Sequence, residues 1–512
     1  MAGQTQEAGA RRAFRLLLDS NVVFSAEPFA GEMEQRFAPV AELLRSASAQ
    51  GHRVVVHPAT RDDARADADF DRRRQRLAEL EKYDTLEEVP IPTWLPPIFG
   101  GPELGSRDHR DMRIFAALPA HAATHLVTDD DRLRRRAVRA GFGDAVLSVR
   151  DALELLADLV RPAADPPPRV RRMRTYEIDV EQAIFDSLRA EYRAAGGRAG
   201  FDDWLNKIRA DHDNRVAFVI EHERTYQAIA IVKLAEDDSA YGFPAGTSKI
   251  STFKVDPTAG GLKLGELLLK AVLLDAAERG CAGLFVEVHP HHVQLLGWLE
   301  DFGFADTGKP RSSGELIMYK SRTPTQSADV DDLQFHIAYG PPALRLNRAR
   351  VVPIEPKWFD QLFPDSPITR SRPGTLPMFG DQTRPWGNAL RKAYVSWRLH
   401  RSIERGDALL FYRSKDLQAV AAIGVVEDTC VSADPDVLIT FMGQRTVYGP
   451  DEIEQFCRRG GQMTAVIFRQ DRFVDPPWPW EHLAAVKVLR RPPQSIAAVP
   501  EEGMAWLRTQ LG

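Results

Sequence analysis

Three stretches of this chain carry residue types that could do chemistry. In "LVTDDDRL", residues 126–133, three consecutive aspartates follow a hydrophobic run that reads as the end of a buried strand. Asp19 stands in the same kind of place after "LLL", Asp62 follows "VVVHPATR" with Asp63 beside it, and Asp111 opens the helical run "DMRIFAAL" with Asp108 one turn earlier. Carboxylates converging from separate segments repel one another and are costly to bury without a counter-charge. Mg²⁺ or Mn²⁺ prefers oxygen ligands; held by such converging carboxylates, it would activate a water and stabilise charge on a phosphodiester. The alternative is a helix cap: Thr128 or Asp129 could cap "RLRRRAVRA", whose first-turn acids gain roughly 0.3–1 kcal/mol from the helix dipole. The basic run "RLRRR" behind them could attract phosphate.

The second stretch, "STFKVDPTAGGLKLGELLLKAVLLDAAERG", runs from a strand through a glycine-bearing turn into a long helix. Glycines let backbone approach a ligand closely, and the free N–H groups of a helix N-terminus suit a pyrophosphate. It is neither a Walker A loop, lacking "GK[ST]", nor a dinucleotide GxGxxG. Downstream, Glu287 on the strand "GLFVEVHP" is a candidate base, because acyl transfer to an amine needs a group to remove its proton. His289, His291 and His292 in "HPHH" invite a metal reading, but proline-flanked histidines without a second ligand cluster are more simply loop residues. The third stretch is an aromatic and arginine set, Trp358, Trp386, Tyr394, Trp397 and Tyr412 with Arg372, Arg413 and Arg445, suited to stacking bases and contacting phosphate. For any one ring, burial in a core is the competing assignment.

The elements that must position these residues fall into three blocks. The chain's 512 residues are too many for one core and suggest about three domains at roughly 150 residues each. Proline-rich "RPAADPPPRV" and polar "SRTPTQSADVDD" read as seams, giving blocks over 12–160, 170–320 and 335–490. The first alternates strands ("FRLLLDS", "HRVVVHP", "THLVTDD", "AVLSV") with helices, which implies an α/β layer with a parallel sheet. The second mixes five strands with the helices "LGELLLKAVLLDAAERG" and "VQLLGWLEDFGF". The third, with "GDALLFYRS", "QAVAAIGVVED", "VLITFMGQRTVY" and "MTAVIFRQDRFV", reads as a small β-barrel with helical decoration. A net charge of -5 gives no nucleic-acid signal by itself. Three isolated cysteines argue against a disulfide framework and a structural zinc, and no apolar run reaches the roughly 20 residues of a membrane span, so a cytoplasmic protein is expected.

On these motifs the first block resembles the PIN-domain nucleases. That likeness implies a metal-dependent ribonuclease with Asp19, Asp62, Asp111 and Asp130 as both catalytic residues and Mg²⁺ or Mn²⁺ ligands, Thr128 or Asp129 supporting them. It departs at Asp62, where the family usually has Glu. The second block resembles the GNAT acetyltransferases. By that likeness Phe253, Lys254 and Val255 would line the pantetheine arm of acetyl-CoA, and Gly260, Gly261, Leu262, Lys263, Leu264 and Gly265 its pyrophosphate, with Glu287 as the catalytic base. Here Lys263 stands where the family's [QR]xxGx[GA] pattern has a glycine, and Leu299 where a tyrosine often serves as general acid. The third block resembles the PUA-like domains of the ASCH and EVE kind, which implies an RNA- or modified-base-binding barrel using Trp386, Tyr394, Tyr412 and Arg413.

Together these readings describe an RNA-directed multidomain enzyme that joins a ribonuclease, an acetyl-CoA-dependent N-acetyltransferase and a nucleic-acid-binding barrel, with RNA, conceivably tRNA, and an acyl acceptor as partners. Lys263, Leu299 and the absent Glu support a second reading, a regulatory protein that senses RNA and acyl-CoA without turning them over. A toxin-like or defence protein is a third, by analogy with other proteins of these families.

Overall fold

A computed structural model describes residues 13–26, 37–160, 168–194, 200–236, 241–256, 263–309, 314–324, 330–370, 385–400, 402–458 and 461–511. The chain divides into two compact units. One is Met1–Pro162 with Val395–Leu399 and Cys430–Ala465; the other is Ala163–Tyr394, His400–Thr429 and Val466–Gly512. Among the described residues no helix is long and apolar enough to cross a membrane.

The first unit is built on β1 (Arg15–Leu18), β2 (Arg53–Val56), β3 (Asp84–Thr85), β4 (His125–Val127) and β5 (Val146–Leu147), a parallel sheet in the order β3-β2-β1-β4-β5. Continuous apolar runs such as "RLLL" suit strands covered on both faces, as parallel strands are. Leu16, Leu17 and Leu18 are fully buried. Because β1 is the middle strand and pairs in register with β4, Asp19 and Thr128 leave the sheet at the same edge; the Asp19 amide donates to Val127 O at 3.0 Å. Helices α1 (Pro58–Arg65), α2 (Arg107–Ala116) and α3 (Asp131–Arg139) bring further side chains. The helices Pro435–Met442 and Pro450–Arg458, distant in sequence, belong to this unit as well. Arg445 Nε lies 2.8 Å from Asp144 Oδ1, and Gly443, at φ +49°, passes so close to Asp144 that a Cβ would meet its backbone O at 2.5 Å.

In the second unit β6 (Val170–Arg174), β7 (Arg215–His222), β8 (Thr225–Lys233), β9 (Thr247–Val255), β10 (Gly283–Val288), β11 (Ala305–Asp306) and β12 (Leu316–Ser321) form a sheet in the order β11-β12-β10-β9-β8-β7-β6. Helices α4 (Asp186–Ala194) and α5 (Phe201–Ala210) precede β7; Phe201, Leu205 and Ile208 of α5 pack with Ala217, Val219, Ile229 and Ile231. The opposite face carries α6 (Leu264–Glu278), packed on Val216, Phe218, Ile220 and Val232, with α7 (Val293–Asp301) beyond β10. All described strand pairs here are antiparallel except β9 with β10.

Where the sequence pointed to a barrel, β13 (Ala349–Ile354), β14 (Arg391–Ser396), β15 (Ala408–Arg413), β16 (Ala419–Ser432), β17 (Met463–Pro479) and β18 (Ala497–Ala498) form a six-stranded sheet in the order β14-β17-β16-β15-β13-β18. The pair β13/β15 is parallel and β15/β16 antiparallel.

Candidate functional site

The cleft of the second unit begins with an irregularity in β9. Strand β8 pairs Val232 with Ile250 but Ile231 with Thr252, so Ser251 is an extra residue, a β-bulge. Pairing between β9 and β10 stops at the same level, at Ile250 and Val286. Beyond it, β9 from Thr252 to Val255 is paired with β8 alone and β10 with β12 alone, so the two parallel strands part. The gap has Phe253, Lys254 and Val255 along one side. At its mouth α6 begins, and the amides of a helix's first turn have no intrahelical acceptor.

Gly260, Gly261 and Leu262 lie outside the described residues. Lys263 caps α6 in the left-handed conformation, φ +52°, which suits glycine and costs roughly 1–2 kcal/mol for other residues. Among the described residues a Cβ on Gly265 would meet nothing nearer than Val255 Cγ2 at 3.8 Å and the Trp298 ring at 3.9 Å, ordinary contact distances. Packing among the described residues does not require a glycine there, whereas close approach of a ligand to the α6 backbone would. Trp298 of α7 also meets the Phe253 ring, centroids 5.7 Å apart.

Glu287 lies on the face of β10 opposite α6, and both of its carboxylate oxygens are engaged. Lys249 Nζ donates to Oε2 at 2.8 Å and the Tyr241 hydroxyl to Oε1 at 3.0 Å. An aromatic platform adjoins it, with Phe243 stacked on Tyr319 at 4.4 Å and both Tyr241 and Phe243 against Phe285. Neither Lys249 nor Tyr241 was singled out in the sequence. Period-two alternation puts Glu287 and Phe285 on one face, but the partner strand had to be known before Lys249 could be placed opposite. Leu299 is buried in the core and supplies no acid. His289, His291 and His292 cluster at the end of β10, ring centroids 4.1–6.4 Å apart, with His289 Nε2 3.6 Å from Glu315.

In the first unit, Asp19 accepts from Thr128 Oγ1 at 2.6 Å through Oδ2 and from the Ser20 amide at 2.7 Å through Oδ1. Burial, together with Asp63 and Asp130, pushes Asp19 up to about 6 despite those hydrogen bonds. Asp111 is pushed up to about 7 by burial first, then by Asp19, Asp63 and Asp130. Its Oδ2 is buried without a hydrogen-bond partner, with Arg132 Nη2 3.9 Å away. Asp130 serves as the α3 cap, accepting from the Arg132 and Leu133 amides, while its other oxygen pairs with Arg107 at 3.0 Å. Asp129 accepts from the Val149 amide. Asp108 pairs with Arg132 and Arg136.

Asp62 requires a correction. It is turned outward into ion pairs with Arg65 and Arg113, at 3.0 and 2.7 Å, and these hold its carboxyl below the usual range. The neighbouring Asp63 faces Asp19 and Asp111, accepting from Ser20 Oγ at 2.5 Å and from Arg110 Nε. Helical phase gives the reason, since residue 63 shares a face of α1 with buried Ala59, Thr60 and Ala64 and residue 62 does not. Among the described residues no group of three or more His, Cys, Asp or Glu side chains stands ready to hold a metal ion.

The base-stacking set is also corrected. Tyr394 is buried, its hydroxyl donating to Pro353 O and its ring set against Phe411. Tyr412 lies in the core, and Arg413 is fully buried between Asp360 and Asp416. Side chains so enclosed cannot stack on a base. Arg445 is tied to Asp144, Arg372 and the Trp386 side chain lie outside what is described, and Trp358 is half-buried beside Lys357. Trp397 alone among the described rings of this set is exposed, resting on Phe456 in the first unit.

Residues 181–304 match the acetyltransferase (GNAT) family profile. No curated protein matches the chain. Solved structures similar to parts of it include ASCH from Zymomonas mobilis, 12% identical over 32% of this chain and 96% of that one, TM-score 0.24. The PaiA N-acetyltransferase from Thermoplasma acidophilum, in complex with coenzyme A, is 15% identical over 30% of this chain and 98% of that one, TM-score 0.23. The acyl-CoA N-acyltransferase of Klebsiella pneumoniae is 18% identical over 31% and 99%, TM-score 0.23.

Proposed function

We propose, on the premise that residues 181–304 form a GNAT acetyltransferase domain, that the protein transfers an acetyl group from acetyl-CoA to an amine. The observation that carries the reading is the parting of β9 from β10 at the Ser251 bulge, ending at a helix N-terminus whose Gly265 the packing of the described residues does not need. Phe253, Lys254 and Val255 would line the pantetheine arm, and the first-turn amides of α6 with Lys263 would hold the phosphates. Bound there, acetyl-CoA supplies an activated thioester. Glu287 removes the proton from the acceptor's ammonium, so that the free amine attacks the thioester carbonyl. As the new C–N bond forms the C–S bond breaks; the proton that the nitrogen then sheds passes to the departing thiolate, giving the thiol, and the proton held by Glu287 is released to solvent. Lys249 and Tyr241 fix the rotamer of Glu287 and set which of its oxygens the acceptor can reach. The test is thiol release from acetyl-CoA in the presence of polyamines, peptides or tRNA: release that depends on one acceptor class identifies the substrate, and no release with any of them argues for a sensor.

A specific observation favours a second activity in the first unit. Asp111 is 6% exposed, with an oxygen that has no hydrogen-bond donor among the described residues and that lies among Asp19, Asp63 and Asp130, an arrangement a divalent cation would relieve. We infer that these four carboxylates, with Asp63 in place of Asp62, would bind Mg²⁺ or Mn²⁺ and that arginines 107 and 132 would meet the phosphates of an RNA. Cleavage of an RNA pool with Mn²⁺ and with EDTA tests it.

A further inference from the structure

The helix that opens at the acetyl-CoA turn is held from the side by the C-terminal sheet. Helix α6 is buried nearly all round, and two charged residues one turn apart, Glu266 and Lys270, lie within it at 5% and 2% exposure. Glu266 is adjacent to Gly265, so its carboxylate stands one residue from the proposed phosphate site, where a free negative charge would oppose binding. It is turned away instead. Its Oε2 accepts from the amides of Leu390 at 2.7 Å and Arg391 at 3.4 Å, where β14 begins. One turn on, Lys270 Nζ lies 2.7 Å from Asp365 Oδ2.

The apolar contact runs the same way. Leu390, at 2% exposure, belongs to the same buried cluster as Leu264, Leu267 and Leu268, against which Trp298 packs, and is its one described member from beyond residue 320. Arg469 adds a joint at the end of α7, donating to Asp301 O while pairing with Glu427. Lys320, fully buried, donates to Phe302 O, Ile337 O and Ala338 O and so ties the end of α7 to the helix Asp332–Tyr339.

We propose that the start of β14 is a working part of the acetyl-CoA site: Leu390 and Glu266 are positioning residues that set the first turn of α6, and with it the phosphate-binding amides, from the C-terminal sheet. The proposal rests on the acetyltransferase reading. It makes the C-terminal sheet a fixed wall of the transferase, so that cofactor affinity depends on a residue more than a hundred positions from any that would touch the cofactor.

The test uses the full chain and coenzyme A as the probe, with affinity from calorimetry and the melting temperature recorded in parallel. Leu390→Ala and Glu266→Gln are compared with Leu410→Ala, a core truncation elsewhere in the C-terminal sheet. We expect Leu390→Ala to weaken coenzyme A binding at least five-fold and Glu266→Gln, which keeps the shape but not the charge, about two- to three-fold. Leu410→Ala should stay within two-fold of wild type despite a comparable loss of melting temperature. Wild-type-like affinity in folded Leu390→Ala and Glu266→Gln overturns the inference while leaving the cofactor reading intact. Should Leu390→Ala fail to fold, Glu266→Gln decides alone. Absence of binding in wild type overturns both.

Discussion

Lys249 Nζ sits 2.8 Å from Glu287 Oε2, so the transferase's candidate base is held in an ion pair while its second oxygen accepts from Tyr241. The pair fixes the carboxylate at the edge of the β9–β10 gap.

Replacing Glu287 by Gln should therefore lower kcat by about 100-fold, the lower end expected for loss of a general base, with acetyl-CoA affinity unchanged. Steady-state thiol release under saturating acetyl-CoA measures it. Equal kcat in the variant would remove Glu287 from the mechanism.

Lys263 holds a left-handed conformation that glycine adopts freely. Lys263→Gly is expected to stabilise the fold by about 1 kcal/mol in chemical denaturation, while binding of acetyl-CoA weakens if the ammonium meets a phosphate. A loss of stability would show that the side chain supports the turn.

Asp19 and Asp111 give the first unit a pH signature. Their carboxyls, near 6 and 7 in the fold, lie above the usual value of 3.8, so the folded state holds their protons more tightly than the unfolded chain. That contribution is fully present below about pH 4 and is lost as pH rises through 6 and 7. Asp111→Asn, which removes one of the repelling charges, should raise the melting temperature at pH 8, by an energy on the order of 2 kcal/mol, and do little at pH 4. Mn²⁺ should flatten the wild-type pH dependence. A variant less stable at pH 8 than wild type would mean that the Asp111 carboxylate is stabilising as it stands.

At Asp130 the two roles can be separated by substitution. Asn is as good a cap as Asp, so Asp130→Asn should cost the apo protein little, whereas Asp130→Ala should cost about 1 kcal/mol. Both should weaken Mn²⁺ binding in calorimetry. Undiminished Mn²⁺ binding by Asp130→Asn would leave Asp130 a cap alone.

What the sequence made legible follows its periodicities. Apolar runs ending in Asp19 and Asp129 marked the edge of a parallel sheet, and the strand ending at Val255 and the helix starting at Leu264 were readable on either side of the proposed cofactor turn. Choices between neighbours depended on facts a linear reading lacks. Asp62 and Asp63 differ by about 100° of helical phase, which the buried Ala59 and Ala64 settle only once α1 is placed. Tyr394, Tyr412 and Arg413 had the right types for a nucleic-acid surface, but in β14 and β15 their side chains are enclosed, and burial in a strand with both faces covered leaves no alternation to read. The attachment of residues 430–465 to the first unit rests on pairs such as Arg445 with Asp144, some 300 positions apart, for which no local pattern exists.

The most direct test of the account is a calorimetric titration of acetyl-CoA into the full chain, comparing wild type with Gly265→Ala. The fold should accept the added methyl, since its nearest contacts would be 3.8 Å away, and helix propensity should leave the variant equally or more stable. The account predicts one-to-one binding by wild type and at least a ten-fold loss in the variant. Absence of binding to wild type, or equal binding by both, would contradict it.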